Sequence, residues 1–429
     1  MNSDGLIKCA YKDSGEVDQF NVRNLSEALV AANNFSRYLK EDYSKEEVKF
    51  ITMSALIGIR EGRRIIGQRV LKLKDIVEMK MQEIQPLFYT FANVDNHGKN
   101  IVFEDETLCD WFVAAGLWGV MLAVPIALDV LIPNKIENIM VAGRCLSVDH
   151  NLAAAVRMER DMHKCGEAAA YVCSEAIKRG IKLYEVNYSH IAEKLKKSKC
   201  LNEEYNIGFR ERISGNFMGN ELPGLKTSVE ILKWLDSEKP GWGIWWTRLH
   251  AAENPELVEE LKKNLENENE NLARNSALAL GIINETCALE KLREIAKEPD
   301  NYIPKSSLKY VYTRGVSAIY LLGKMADVDS VEMLFDIVER GGKTSLQGFT
   351  YNEFYCVEND VFSQYASFAV RALVDIAKND IKRKDSIKER LIQNLEKPNY
   401  NIRVTSKGDS EGGIDLKDKL LEYTKIQLA

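Results

Sequence analysis

Glu137-Asn138-Ile139-Met140-Val141-Ala142-Gly143-Arg144-Cys145-Leu146-Ser147-Val148-Asp149-His150 decides how the rest of the chain is read. Residues 138–142 read as a short strand in which Ile139 to Ala142 form a continuous apolar run, the pattern of a strand covered on both faces. Gly143 then lets another backbone or a ligand come close. A long helix is predicted from about Ala153: Met158, Met162, Cys165, Ala169, Val172 and Ala176 recur at helical spacing, while Glu159, Arg160, Lys164 and Glu167 lie off that face. The expected order is strand, glycine loop, helix N-terminus. Unpaired N–H groups at such a helix start favour an anion or an electron-rich ring edge.

This stretch, continued by Val156-Arg157-Met158-Glu159-Arg160-Asp161-Met162 and Gly166-Glu167-Ala168-Ala169, resembles the C-terminal flavin-binding segment of FAD-dependent oxidoreductases. The likeness is to those grouped with the flavoprotein of heterodisulfide reductase. A second block, Ile57-Gly58-Ile59-Arg60-Glu61-Gly62-Arg63-Arg64-Ile65-Ile66-Gly67, is similar to another segment of that family at the right distance upstream. The resemblance spans roughly Phe20 to Leu201. It implies FAD as cofactor, with Gly143, Arg144, Cys145, Asp149, Ala153 and Arg157 along it. It implies Arg60, Arg64 and His150 as the residues facing substrate.

The 429 residues are 45% hydrophobic and 28% charged, ordinary for a globular chain of two or three domains. A net charge of -6, from 58 basic and 64 acidic residues, supplies no basic field and argues against general nucleic-acid binding. The N-terminus lacks an apolar signal core. The most hydrophobic window, Trp111 to Ile132, is interrupted by Gly116, Gly119, Pro125 and Asp129, so the expectation is a cytoplasmic chain without membrane spans. Eight scattered cysteines contain no Cys-x-x-Cys pair, which fits neither a zinc site nor an iron–sulfur cluster.

Leu6–Ala10 and Val17–Val22 flank an expected turn, and Asn24 starts an expected helix to about Leu39. The family resemblance implies a Rossmann βαβ unit carrying Gly-x-Gly-x-x-Gly, and the sequence contains no such motif. Gly241-Trp242-Gly243 and Gly341-Gly342-Lys343-Thr344 are expected to be turns. Three guanidiniums at Arg60, Arg63 and Arg64 could meet a substrate carboxylate or pair with neighbours such as Glu61. His97 sits in an expected turn at Asp95–Gly98, and His150 beside Asp149. His163 and Glu167 have the i, i+4 spacing of metal ligands, but the sequence offers no matching second pair.

Gly208, Gly215, Gly219, Pro223 and Gly224 mark a linker, after which the pattern is helical. Ser276–Gly281, Ala318–Gly323 and Ala369–Val374 align as the ends of helices that each have an amphipathic partner, with an insertion over Gly341–Glu358. These look like HEAT-type repeats. Trp242, Trp245 and Trp246 are expected to pack in a core or between domains.

The expected fold is an α+β partial FAD-binding and substrate domain without its N-terminal Rossmann βαβ unit, followed by an all-α HEAT-like solenoid. The boundaries are 1–201, a linker at 202–225, repeats over 226–400, and a flexible link with a last helix over 401–429. The expected function is a flavin oxidoreductase module that passes hydride to or from a small substrate, an anion fitting the arginines best. The chain is expected to be a fragment of a split gene, a partner for a separately encoded Rossmann half, or a decayed enzyme, and to be inactive alone. The alternative is a non-catalytic scaffold dominated by the repeats.

Overall fold

The computed structural model describes residues 62–79, 84–95, 101–202, 209–210, 227–297, 312–340, 358–404 and 414–429. The expected hairpin and helix before Leu39, the block Ile57–Glu61 with Arg60, His97 and the glycine-rich span 211–226 lie outside the described residues. So do residues 341–357 of the insertion and the Lys407–Gly413 link.

In chain order the elements begin with α1 (Leu73–Val77), β1 (Phe88–Asn93), α2 (Glu106–Cys109), β2 (Met121–Ile126), α3 (His150–Ala153), α4 (Glu159–Arg179), α5 (Tyr188–Lys197) and β3 (Phe209–Arg210). Helices follow: α6 (Ser228–Leu235), α7 (Gly241–His250), α8 (Pro255–Asn264), α9 (Glu270–Ile282), α10 (Leu289–Lys297), α11 (Arg314–Lys324), α12 (Val331–Arg340), α13 (Glu358–Asn379) and α14 (Ile381–Leu395). The chain closes with β4 (Arg403–Val404), β5 (Ile414–Asp415) and α15 (Lys417–Gln427). The strands order as β1-β2-β3, with β2 and β3 antiparallel through Met121 opposite Arg210, and β4 pairs antiparallel with β5. Two compact units result: residues 1–72, 83–91 and 124–206 in one, and 73–82, 92–123 and 207–429 in the other.

The first unit is built on α4, which buries Cys165, Ala168, Ala169, Val172 and Ala176 and packs against α5. Gly180, left-handed at φ 65°, ends α4 and returns its N–H to the last turn. The buried carboxylates Asp161 and Glu175 share the apolar face, which the periodicity of apolar residues does not show. Glu175 is held by Arg179 and by Lys194 at 2.9 Å, and these partners depress its carboxyl to about 2.

The second unit is helical, with neighbours packed in sequence: α6 on α7, α8 and α10 on α9, α10 on α11, α12 on α13, α14 on α13 and α15. The helices α9, α11 and α13 also lie side by side. Small residues allow this closeness. A Cβ on Gly323 would fall 2.4 Å from the Cα of Ala372, and one on Gly281 would fall 2.9 Å from Leu292 Cδ1. Trp242, Trp245 and Trp246 are buried, and Trp111 meets Trp245 edge to face at 4.7 Å.

After α2 the chain continues as a π-helical turn, Asp110–Ala114. Asp110, fully buried, accepts from Arg248 Nε at 2.9 Å, Lys324 Nζ at 2.7 Å and the Tyr320 hydroxyl at 2.8 Å. Arg248 also reaches Glu78 at 2.9 Å and lies over the ring of Trp245. Among the described residues no helix is long and apolar enough to cross a membrane.

Candidate functional site

The described part of the second block, from Gly62 onward, lies alongside the first stretch in the first unit. Ile65 N–H donates to Cys145 C=O at 2.9 Å, Gly67 N–H to Ser147 Oγ at 2.9 Å, and Leu71 N–H to Ser147 C=O at 3.1 Å. Asp149 N–H returns a bond to Leu71 C=O at 2.9 Å, and Leu71 and Val148 form a parallel bridge. On its other side the same segment pairs with residues 129–134: Gly67 bridges Pro133, Gln68 N–H reaches Ile132 C=O, and Arg69 N–H reaches Asp129 C=O. Gly67 has to be a glycine here, since a Cβ would stand 2.7 Å from Ser147 Cβ and 2.9 Å from Asp129 O.

This pairing sets Arg64, half-buried and next to Ile65, beside the backbone of half-buried Cys145. Arg144 is exposed on the neighbouring turn. Gly143 adopts φ 119°, where side-chain-bearing residues are strained, and no atom lies within 4 Å of where its Cβ would be. Its N–H donates to Cys165 Sγ at 3.3 Å, and burial pushes that thiol up to about 11.

Asp149 serves as a helix cap, Oδ1 accepting from Leu152 N–H at 2.7 Å. His150 is exposed at the start of α3, Ala153 is buried at its end, and Arg157 is half-buried in the connection to α4. Arg64, Arg144, Asp149, His150 and Arg157 all have interaction partners.

Two local expectations are corrected. Residues 138–142 are not a buried strand: Asn138 is left-handed at φ 59°, Ile139 is half-exposed, and Val141 N–H turns back to Leu131 C=O. A left-handed residue cannot continue a pleat, and Asn adopts that region more readily than most. The helix predicted from Ala153 is also broken. The four-residue α3 ends there and α4 starts at Glu159. Glu159 and Asp161 stand in the first turn of α4, so its dipole is already met by carboxylates and an anion has less to gain there.

Three residues to which the sequence assigned no partner make long-range bonds in the first unit. Ser147 is buried and binds both Gly67 and Leu71. Asp161 Oδ2 accepts from Phe91 N–H at 3.2 Å, and the guanidinium of Arg160 donates to the carbonyl of the same Phe91. A signal existed for Gly67 and Ser147, both of which stand in the quoted motifs. None existed for a bond between positions 70 residues apart.

Among the described residues no group of three or more His, Cys, Asp or Glu side chains could hold a metal ion. The donor set suits a phosphate-bearing organic cofactor better: a turn with an open glycine position and the exposed guanidinium of Arg144.

Residues 5–195 match the family model described as FAD dependent oxidoreductase, and the match implies FAD as the cofactor of that region. No curated protein and no solved structure matches the chain.

Proposed function

We propose that the first unit is a flavin oxidoreductase module acting on a small substrate, and that a separately encoded Rossmann half completes its hold on FAD. The observation that carries this reading is the Ile65–Cys145 and Gly67–Ser147 pairing, which joins both resembling stretches within the region matched by the family model. The absence of Gly-x-Gly-x-x-Gly from the 429 residues motivates the second protein.

In this reading Gly143 brings its backbone against the cofactor, and Arg144 and Arg157 offer guanidiniums to its diphosphate. Cys145 and Ala153 flank it, and Asp149 fixes the turn between them by capping α3. Arg60 and Arg64 hold an anionic substrate and stabilise charge that develops on it, and His150 exchanges a proton with it. FAD when bound supplies a two-electron carrier of hydride. The paired helices of the second unit are read as HEAT-type repeats that offer a surface to partner proteins.

The test is an FAD titration of the chain, alone and co-expressed with the product of any adjacent reading frame that encodes a Gly-x-Gly-x-x-Gly strand-turn-helix. Substoichiometric flavin alone and one flavin per chain in the complex are expected. Stoichiometric flavin on the chain alone removes the need for a second half, and no flavin in either sample overturns the flavoenzyme reading in favour of a scaffold.

A further inference from the structure

Two thiols approach the glycine loop from different parts of the first unit. Cys165 is buried on α4, and its Sγ receives the Gly143 N–H at 3.3 Å. Cys145 is half-buried two residues further along that loop, so its backbone lies within roughly 7 Å of Gly143. Burial raises the pKa of the Cys165 thiol, and charge on Cys145 adds to the rise. Among the other described thiols of the unit, Cys200 also lies within electrostatic reach of Cys165. Cys173 is eight residues along α4, about 12 Å away by helix rise, and Cys200 donates to Lys164 C=O at 3.3 Å.

We propose that Cys145 and Cys165 form a reversible dithiol–disulfide pair, closed by glutathione-type disulfides, which clips the Gly143–Asp149 loop to α4. The accessible Cys145 thiolate attacks one sulfur of glutathione disulfide, forming a mixed disulfide and expelling one glutathione thiolate. Cys165 then gives up its proton and attacks the Cys145 sulfur. The protein S–S bond forms, the mixed S–S bond breaks, and the second glutathione leaves with the proton. Two protein thiols are oxidised, one glutathione disulfide is reduced to two thiols, and protons balance.

Closure demands Cα atoms about 4.4–6.8 Å apart. The Gly143 side of the loop is open, with nothing within 4 Å in its Cβ direction. Closure also turns the Cys165 sulfur away from the Gly143 N–H, so the oxidised loop differs in shape from the reduced one. This device depends on the thiols and stands whether or not the module binds flavin.

The experiment incubates the whole chain with graded ratios of oxidised to reduced glutathione, quenches with acid, alkylates the free thiols under denaturing conditions, and maps peptides by mass spectrometry. The expected result is a linked pair of peptides containing Cys145 and Cys165, both thiols being lost from alkylation together and restored by dithiothreitol. The link disappears in Cys145→Ser and in Cys165→Ser and persists in Cys200→Ser. A Cys165–Cys200 link overturns the proposal, as does a stable glutathione adduct on Cys145 with Cys165 still alkylated, or the absence of any change. Circular dichroism of each variant verifies that it folds, and the native chain alone suffices to decide if one does not.

Discussion

Asp161 accepts the backbone N–H of Phe91 at 3.2 Å, so the first turn of the long helix α4 holds a residue of β1 that lies 70 positions earlier. The bond is made by a carboxylate that is fully buried. Burial raises its pKa above the ordinary 3.8, against the opposing pull of Arg160 and the Phe91 N–H.

A raised folded-state pKa means that the folded chain holds the proton more tightly than the unfolded one. The contribution of Asp161 to stability is therefore fully present below pH 3.8 and is lost as pH rises through the folded pKa. Asp161→Asn keeps an acceptor for Phe91 and removes the buried charge, so urea unfolding should show a flatter pH profile and no loss of stability at pH 7. An unchanged profile would assign the pH dependence to another group.

Glu175 behaves in the opposite sense. Hydrogen bonds from Arg179 and Lys194 lower its carboxyl from 4.5 to about 2, so its stabilising effect is present above pH 4.5 and is lost as pH falls toward 2. Glu175→Gln should lower the pH 7 stability of the unit while leaving stability near pH 2 almost unchanged. Parallel curves for the two proteins across that range would contradict the assignment.

Asp110 in the second unit gathers Arg248, Lys324 and Tyr320 about one buried carboxylate. Truncating one member of a buried ionic network leaves charge uncompensated and costs about 3–5 kcal/mol. Asp110→Ala should show a loss of that order in denaturant unfolding. A loss below about 1 kcal/mol would mean that solvent or Glu78 takes over the two cations.

Gly143→Val places a β-branched residue at φ 119°, a strain of roughly 1–3 kcal/mol. In the reconstituted flavin complex the substitution should lower flavin fluorescence quenching and stoichiometry while the thermal transition of the helical unit stays in place. Full flavin loading would move Gly143 away from the cofactor.

How much of this was legible in advance depended on the kind of interaction. Positions Cys165, Ala169, Val172 and Ala176 stand on the buried face of α4 because apolar spacing is a local property of the sequence. The small residues at Gly281 and Gly323 likewise announced closely packed helices. The run at Asn138–Ala142 misled, since apolar character alone does not reveal the left-handed turn at Asn138. The continuous helix from Ala153 misled too, although Asp149 three residues before Leu152 was a readable cap. Partnerships such as Asp161–Phe91, Ser147–Gly67 and Asp110–Lys324 join distant positions, and no local pattern encodes them.

The clasp between Gly143 and Cys165 has a further consequence. Sulfur is a weak acceptor, so the loop amide gives up little when it leaves Cys165, whereas an amide bound to a carbonyl oxygen would give up more. Ser147, a few residues on, donates its N–H to the carbonyl oxygen of Val130 at 2.9 Å and sits in a buried ladder. One end of the loop is thus anchored and the other lightly latched. An incoming oxygen acceptor competes with a thiol for the Gly143 amide, and that difference favours exchange of partners over rigidity at this end of the turn.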